Sequence, residues 1–378
     1  MRRIEMLLVL ALLAGTANAD VPANLKEVIV VFKTHYDLGY TDLASKVIEN
    51  YKTTMIDKAL DVCDANRTLP EEQRFVWTIP GWPMAEILAQ EPVKGQERRA
   101  RVMAALRDGY FVTHALPFTT HTESLELEDL VRGLHFSSQV ARESGKELPR
   151  DAKMTDVPSH SWVIPTLLKH AGVEFMHIGC NAASAYPDVP PLFWWEGPDG
   201  SRVLTRYDKE YGSPLLPPED WPYPIWLALM HTGDNQGPPN PGDVEKLLKQ
   251  ASKELPGVKV RLGHMADFAD ALFAAKPEIP VVRGDMPDTW IHGIMSMPLE
   301  SAKARNLRPC VVALEQVDVL CSLEGVTHEP DVRRVAEAYE HSLLFGEHTW
   351  GTDAKKFPRA YGKDWRTRLA DGEYRALT

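Results

Sequence analysis

The feature that most constrains the fold is an alternation of short apolar runs with amphipathic stretches between about residues 25 and 295. Apolar runs without polar alternation are typical of parallel strands buried on both faces, and the amphipathic stretches supply the covering helices. The predicted strands are 28–33, 74–78, 110–114, 153–156, 175–178, 203–207, 225–231 and 258–262. The predicted helices include 43–64, 95–107, 126–144 and 163–170. We therefore expect an α/β fold, in which seven or eight such units favour a barrel although an open sheet also fits.

The pattern changes after about residue 296, where two helical segments, 301–321 and 332–345, follow each other without a strand between them. We expect a barrel-like domain over residues 25–295 and a separate helical domain over 296–378. The last residues are polar and end without a clear helix stop signal. The chain is therefore interpreted as a fragment or as a shortened relative of a longer protein.

The N-terminus has the pattern of a secretory signal peptide. Arg2 and Arg3 give a positive start, residues 6–13 are apolar, and small residues at 17–19 form a cleavage site, which predicts a signal peptide over 1–19. The apolar stretch is too short to span a bilayer, and no later segment has a long apolar run. We expect export to the periplasm or the extracellular space, without a membrane span.

Charge and cysteine content narrow the function classes. The formal net charge of −11 argues against a nucleic-acid partner, because a phosphate backbone requires a positive surface. A carbohydrate or another neutral substrate fits better. The four cysteines, Cys63, Cys180, Cys310 and Cys321, are not spaced as metal ligands, and both disulfides and buried free thiols remain open.

The first predicted strand ends in polar residues, with His35 and Asp37 after an apolar, β-branched run. In an extended chain residues i and i+2 point to the same side, so both side chains would leave the strand end together. A nitrogen ligand and an oxygen ligand aimed at one point could begin a metal site. An ordinary strand that ends in polar residues explains the pair equally well.

Two aspartates, Asp156 and Asp234, also follow predicted strands, at the end where parallel α/β folds carry their catalytic groups. Two carboxylates can divide nucleophilic and acid/base roles if their environments separate their pKa values. A bound cation would keep Asp156 ionised, whereas Asp234, partly desolvated and away from the metal, could hold a proton. Alternatively, Asp234 is a turn residue, because Gly-Asp-Asn is turn chemistry.

Five short blocks together resemble glycoside hydrolase family 38, the α-mannosidases, and specifically a divergent bacterial branch of it. They occur in the family's order, and their order and spacing carry the resemblance. The blocks are 34–41 with its His-x-Asp, 156–161 with the helix behind it, the Gly-rich loop 233–239, the loop 288–296 and the histidine block 343–352.

The resemblance implies a seven-stranded β/α barrel followed by a three-helix bundle, of which this chain contains the start. One divalent metal ion, zinc in the family, would be held by His35, Asp37, Asp156 and His348. Asp156 would also be the nucleophile of a retaining glycosidase, and Asp234 its general acid/base. The implied substrate is an oligosaccharide or glycan with α-linked sugars.

The sequence departs from the family pattern in three places. Val157 and Pro158 follow the expected nucleophile where the family usually has Phe-Gly, and Thr349 follows the expected zinc histidine where the family usually has Asp. The β-rich C-terminal domains of the family are not part of this sequence. The first two changes could reshape the sugar subsite and so alter the substrate.

Six further residues are candidates for lining the substrate pocket. They are His121, Glu123, Trp77, His160, Trp290 and His292. Structural roles also fit several of them, since Thr122 or Glu123 could cap a helix start and most tryptophans are simply packed. His160 could lie behind the ligands, and His292 could replace His348 as a ligand.

Two other functions stay open at this point. A metal-dependent carbohydrate deacetylase would use a metal-activated water and would lose little when Asp234 is changed to Asn. A non-catalytic sugar-binding protein would keep the metal site and bind sugars without releasing a leaving group.

Overall fold

The computed structural model describes residues 21–89, 92–327, 329, 331–350 and 367, without the side chains of 92–95, 292, 295 and 296. The expected signal peptide and most of the C-terminal tail lie outside these residues. The strands are β1 (Glu27–His35), β2 (Trp77–Ile79), β3 (Phe111–Thr113), β4 (Asp151–Asp156), β5 (Phe175–Cys180), β6 (Leu192–Glu196), β7 (Arg202–Asp208), β8 (Ile225–Asp234), β9 (Lys259–Leu262) and β10 (Val281–Arg283). The helices are α1 (Ala44–Asn50), α2 (Ile56–Asn66), α3 (Gly81–Leu88), α4 (Pro92–Arg107), α5 (Leu127–Gly133), α6 (His135–Ser144), α7 (Ile164–His170), α8 (Pro241–Glu254), α9 (Met265–Ala275), α10 (Pro298–Leu323) and α11 (Val332–Phe345).

The strands form two sheets. The first has the order β3-β2-β1-β8, all parallel, with β9 also parallel to the start of β1. The second has the order β10-β6-β7-β5-β4, in which only the pair β6–β7 is antiparallel among the described strands. The α/β fold expected from the sequence is confirmed. All eight predicted strands are present, whereas β6 and β10 were not predicted.

The expected seven-stranded barrel is not observed, because neither sheet closes in the part of the chain that the structure describes. Single backbone hydrogen bonds join the sheets, from Ala115 N to Asp151 O (2.8 Å) and from Ser213 N to Leu229 O (3.1 Å). At one junction β3 is only three residues long. At the other, β6 occupies the edge of β7 that would otherwise be free to pair with β8.

The core lies around β1, whose residues Val28, Ile29, Val30 and Val31 have no exposed surface. Consecutive residues of a strand point to opposite faces, so this strand is buried on both. That explains its unbroken apolar sequence. The polar groups that follow at its C-terminal end are therefore held by a rigid, fully packed element.

The helical segments α10 and α11 pack on each other through Val311, Val335 and Tyr339. After α11 the chain returns to the α/β part, where Thr120 and Glu347 form an antiparallel bridge. This return positions the residues that follow α11 beside the strand ends. The boundary between the two predicted domains stays a prediction.

Two further expectations concern the membrane and the cysteines. Among the described residues no helix combines the length and apolarity needed to cross a bilayer. All four cysteines are free; Cys63 and Cys180 are buried, whereas Cys310 is exposed and Cys321 is partly exposed.

Candidate metal centre and catalytic site

Four buried side chains converge at the C-terminal ends of β1 and β4. They are His35, Asp37, Asp156 and His348. The Nε2 atom of His35 lies 2.8 Å from Oδ1 of Asp37 and 3.6 Å from Oδ2 of Asp156. The Nε2 atom of His348 lies 3.4 and 3.2 Å from the same two oxygens. One possible ligand atom from each residue thus lies within 4.8 Å of the other three.

Among the described residues, two of these atoms, Nε2 of His35 and Oδ1 of Asp37, are buried and make no aligned hydrogen bond, either to each other or to another group. An unsatisfied buried polar group costs about 1–3 kcal/mol, so a cation at this point would stabilise the site. Tetrahedral zinc with bonds of about 2.0–2.1 Å places its ligand atoms about 3.3 Å apart, a spacing that the four distances bracket. Two nitrogen and two oxygen donors suit zinc and also tolerate manganese or cobalt. The residues therefore fit one divalent metal ion.

The protonation of these groups follows from their mutual contacts. Burial alone would raise the pKa values of Asp37 and Asp156, but the neighbouring histidines outweigh it and lower both. Burial likewise opposes charge on His35 and His348. Asp37 raises the pKa of His35, and Glu347 with the two aspartates raises the pKa of His348 well above its usual value. The carboxylates are therefore ionised, and a binding metal ion must displace protons from the histidines.

Asp156 has a left-handed backbone conformation with φ of 86°, which is uncommon outside glycine and costs about 1–3 kcal/mol. Its Oδ2 atom faces the histidines. Its Oδ1 atom accepts hydrogen bonds from Asn181 Nδ2 (2.9 Å) and from the Tyr211 hydroxyl. Burial raises the pKa of Tyr211, so this hydroxyl remains a donor. The two oxygens of one carboxylate thus have separate surroundings.

Sequence reasoning missed Asn181 and Tyr211. Asn181 directly follows β5, and the strand-end rule that selected Asp156 would also have selected it. Tyr211 lies in the loop after β7, and its sequence context contains no comparable signal.

Asp234 is the last residue of β8, and its Cα pairs with that of His35 in the ladder. It therefore lies at the rim beside the first metal-site histidine. The residue is exposed, so the expectation that Asp234 is partly desolvated is wrong. Its neighbours Gly233 (φ 91°) and Asn235 (φ 50°) are left-handed, as the turn chemistry of the sequence predicted.

Asn235 connects this rim to the loop that carries Asp37. Its Nδ2 donates to Asp37 O (2.7 Å) and Thr41 Oγ1 (2.7 Å). Its Oδ1 accepts from Asp37 N (3.1 Å) and the Tyr51 hydroxyl (3.1 Å). The side chain thus fixes the position of Asp37 relative to β8, a role that the sequence did not reveal.

Three candidate pocket residues gather around Asp288. Oδ2 of Asp288 lies 2.5 Å from Nδ1 of His121, whose ring stacks on Trp350 at 4.5 Å between ring centres. Glu123 accepts a hydrogen bond from Asp288 N (2.9 Å) instead of capping a helix. Oδ1 of Asp288 accepts from Trp290 N (2.8 Å). The structure thus brings together His121, Glu123 and Trp290.

The remaining candidates have different outcomes. Trp77 is fully buried, packs edge-on against Phe111 and donates to Thr34 Oγ1, so the expectation that it lines the sugar pocket is wrong. His160 is also fully buried; neither ring nitrogen has a hydrogen-bond partner in the part of the chain that the structure describes, and burial lowers its pKa to about 4. The side chain of His292 lies outside the described residues.

Two buried lysines lie on β1 and β4, below the four candidate metal-binding side chains. Lys33 donates to Thr155 Oγ1 (2.9 Å), and burial lowers its pKa to about 7. Lys153 contacts Nδ1 of His177 (2.5 Å), and burial lowers the pKa of that histidine to about 3. His177 is therefore neutral. The Nε2 atom of His177 lies 2.8 Å from Oδ2 of Asp208. A row of polar contacts thus runs from Lys153 on β4 through His177 on β5 to Asp208 at the end of β7.

Comparison with known proteins identifies the family of the chain. The family model for the N-terminal domain of glycosyl hydrolases family 38 matches residues 26–220, slightly more than half of the chain. The chain belongs to glycosyl hydrolase family 38. The matched region contains His35, Asp37 and Asp156, and it ends before Asp234 and His348.

Two solved structures of family 38 share the fold. An α-mannosidase from Enterococcus faecalis V583 is 14% identical, with a TM-score of 0.64 over 85% of this chain and 38% of its own. A family 38 glycosyl hydrolase from Enterococcus faecalis is 14% identical, with a TM-score of 0.58 over 86% and 36% of the two chains. The family 38 chain described here thus spans less than two fifths of either structure. No curated protein sequence matches it.

Proposed function

We propose that the protein is a metal-dependent, retaining α-glycosidase of the α-mannosidase type, acting on an oligosaccharide or glycan. The observation that carries the proposal is the convergence of His35, Asp37, Asp156 and His348, with two buried atoms left unpaired, in a chain of family 38.

Asp156 is the proposed nucleophile. Its lowered pKa keeps it ionised, and the hydrogen bonds from Asn181 and Tyr211 fix the orientation of the carboxylate. In the first step an oxygen of Asp156 bonds to the anomeric carbon while the glycosidic C–O bond breaks. The bound metal would supply Lewis-acid polarisation and a fixed template for sugar hydroxyls.

Asp234 is the proposed general acid/base. A glycan seated over the rim would exclude water from this exposed carboxyl group and raise its pKa. It would then give its proton to the leaving oxygen in the first step. In the second step it would take a proton from the water that releases the sugar from Asp156.

The test is a panel of aryl α-glycosides, with aryl α-mannoside first, measured with and without chelator. We expect metal-dependent release of the aryl group, abolished in Asp156→Ala and nearly abolished in Asp234→Asn. Asp220→Asn, an exposed aspartate outside the site, is the matched control. An absence of activity on every α-glycoside with metal bound would overturn the proposal. Metal-dependent release of acetate from an N-acetylated sugar, assayed beside the panel, would favour a deacetylase.

We further propose that the protein is exported, on the basis of the signal-peptide pattern at 1–19. N-terminal sequencing of protein expressed with its full N-terminus should give Asp20 as the first residue of the mature chain. An intact N-terminus retained in the cytoplasm would contradict export.

A further inference from the structure

The residues on either side of His348 are both polar and both contact the metal-binding region. Glu347 is buried, with 3% of its side chain exposed. Its Oε1 atom lies 2.7 Å from Nδ1 of His348. The ring N–H is not aligned with this oxygen, and neither atom has another hydrogen-bond partner in the described chain.

The two nitrogens of the His348 ring therefore face different groups. Nε2 faces the oxygens of Asp37 and Asp156, at 3.4 and 3.2 Å. A carboxylate beside Nδ1 favours the tautomer that carries its proton there, which leaves the Nε2 lone pair for a metal.

The second oxygen of Glu347 is held by Thr349. Oε2 accepts hydrogen bonds from Thr349 N (3.0 Å) and from the Thr349 hydroxyl. The same hydroxyl oxygen accepts a hydrogen bond from Gly39 N (2.8 Å), two residues after Asp37. A continuous chain of contacts thus runs from the loop after β1 to the ring of His348.

The close approach of these two segments depends on glycine. A Cβ atom at Gly39 would lie 2.6 Å from Thr349 O, which is too close for any side chain. The backbone is fixed from the other side by the bridge between Thr120 and Glu347. The contact is therefore part of the packed structure.

We propose that Glu347 is a positioning residue for His348, and that Thr349 fixes Glu347 to the loop carrying Asp37. This inference rests on the proposed metal site. It also gives a physical role to Thr349, whose amide and hydroxyl both donate to Oε2 of Glu347.

The test measures the affinity of the full chain for Zn²⁺ alone, by competition with a chromophoric chelator. We expect Glu347→Ala to weaken binding by roughly 10- to 100-fold. Thr349→Ala should weaken it less, and Thr349→Ser, which keeps the hydroxyl, should restore it. Glu340→Gln, a carboxylate on α11 that contacts Trp82 instead of the metal-binding residues, is the control.

A spectroscopic readout separates positioning from general stability. In the Co²⁺-loaded protein, Glu347→Gln should shift the visible absorption bands, because the orientation and basicity of the imidazole change, whereas Glu340→Gln should not. If folded Glu347→Gln and Thr349→Ala kept the zinc affinity and the cobalt spectra of the unmodified protein, the role of Glu347 would be overturned. The proposed metal site would not be affected by that result. If the unmodified chain bound no metal, the proposed metal site would fail and this role with it.

Discussion

At the scale of single residues, Asp156 combines a strained backbone with a carboxylate whose two oxygens have different partners. Its left-handed backbone turns the carboxylate so that one oxygen faces the two histidines and the other faces Asn181 and Tyr211. Strained backbone persists only where surrounding contacts over-determine it. These contacts supply that support, so they are the place to test whether orientation of the proposed nucleophile limits turnover.

We expect Tyr211→Phe to lower kcat by roughly 10- to 100-fold with little change in KM, because the carboxylate loses a fixed donor and part of its alignment. Steady-state kinetics on an activated aryl glycoside measure both constants. Tyr223→Phe, another buried tyrosine, which packs on Trp221, is the control. An unchanged kcat in Tyr211→Phe would show that the Asp156 carboxylate needs no such support.

At the scale of elements, the two C-terminal helices are joined to the α/β part by Arg308. Its Nε atom lies 2.9 Å from Oδ2 of Asp129 on α5 and donates to Ser342 Oγ on α11. Its guanidinium also donates to Ser124 O. One buried side chain of α10 thus contacts α5, α11 and the segment around Ser124. Of these, α11 is the helix that precedes His348.

We expect Arg308→Met to destabilise the protein by about 3–5 kcal/mol, because the buried Asp129 carboxylate loses its cationic partner and keeps the hydrogen bond from Glu126 N. Urea unfolding followed by circular dichroism measures the loss. Arg305→Met, an exposed arginine on the same helix, should change stability by less than about 0.5 kcal/mol. Equal stability of the two variants would show that the contacts of Arg308 do not stabilise the packing of these elements.

At the scale of the whole molecule, the candidate metal site joins residues distant in sequence, which lie at the ends of β1 and β4 and after α11. We expect bound zinc to stabilise the fold by about 2.7 kcal/mol at a free concentration one hundred times the dissociation constant. Thermal melts with and without chelator measure the effect. His35→Ala should melt at the same temperature in both conditions; a chelator effect that persists there would place the ion elsewhere.

Buried histidines predict loss of stability in acid. Burial lowers the pKa of His160 to about 4, of His177 to about 3 and of His231 to about 2, and it lowers that of His114 well below its usual value. Below pH of about 6.5 the unfolded chain gains protons that the folded chain excludes, so each group reduces stability by about 1.4 kcal/mol per pH unit. The raised pKa values of His35 and His348 act in the opposite sense, since their contribution is lost as pH rises.

The measurement is the free energy of unfolding between pH 7 and 4.5, in metal-free protein. This free energy should fall with decreasing pH. In His160→Phe its slope should be smaller by about 1.4 kcal/mol per pH unit, the contribution of one proton. His135→Phe, at an exposed position, should leave the slope unchanged. A flat profile in the unmodified protein would contradict the neutral state of these histidines.

The sequence by itself determined the fold class and most strand positions, and it marked His35, Asp37 and Asp156 as candidate site residues at strand ends. His348 joined the candidate metal-binding set only through the family resemblance. Burial of β1 on both faces requires an unbroken apolar run, and its end at His35 and Asp37 is visible because the i, i+2 geometry is local. Asp156 at the end of β4 was predictable for the same reason. The helix expected over 126–144 is instead broken into α5 and α6 at Leu134.

Only the tertiary structure decided how the sheets end and how the site is supported. β6 lies antiparallel on the edge of β7 and leaves the sheets open there, a pairing that no local pattern encodes. The roles of Asn181, Tyr211 and Glu347 come from contacts between segments far apart in sequence. The burial that removes Trp77 from the pocket and the exposure of Asp234 are likewise non-local. Local spacing specifies where a side chain leaves its strand, whereas its partners and solvent access depend on the packing of the whole chain.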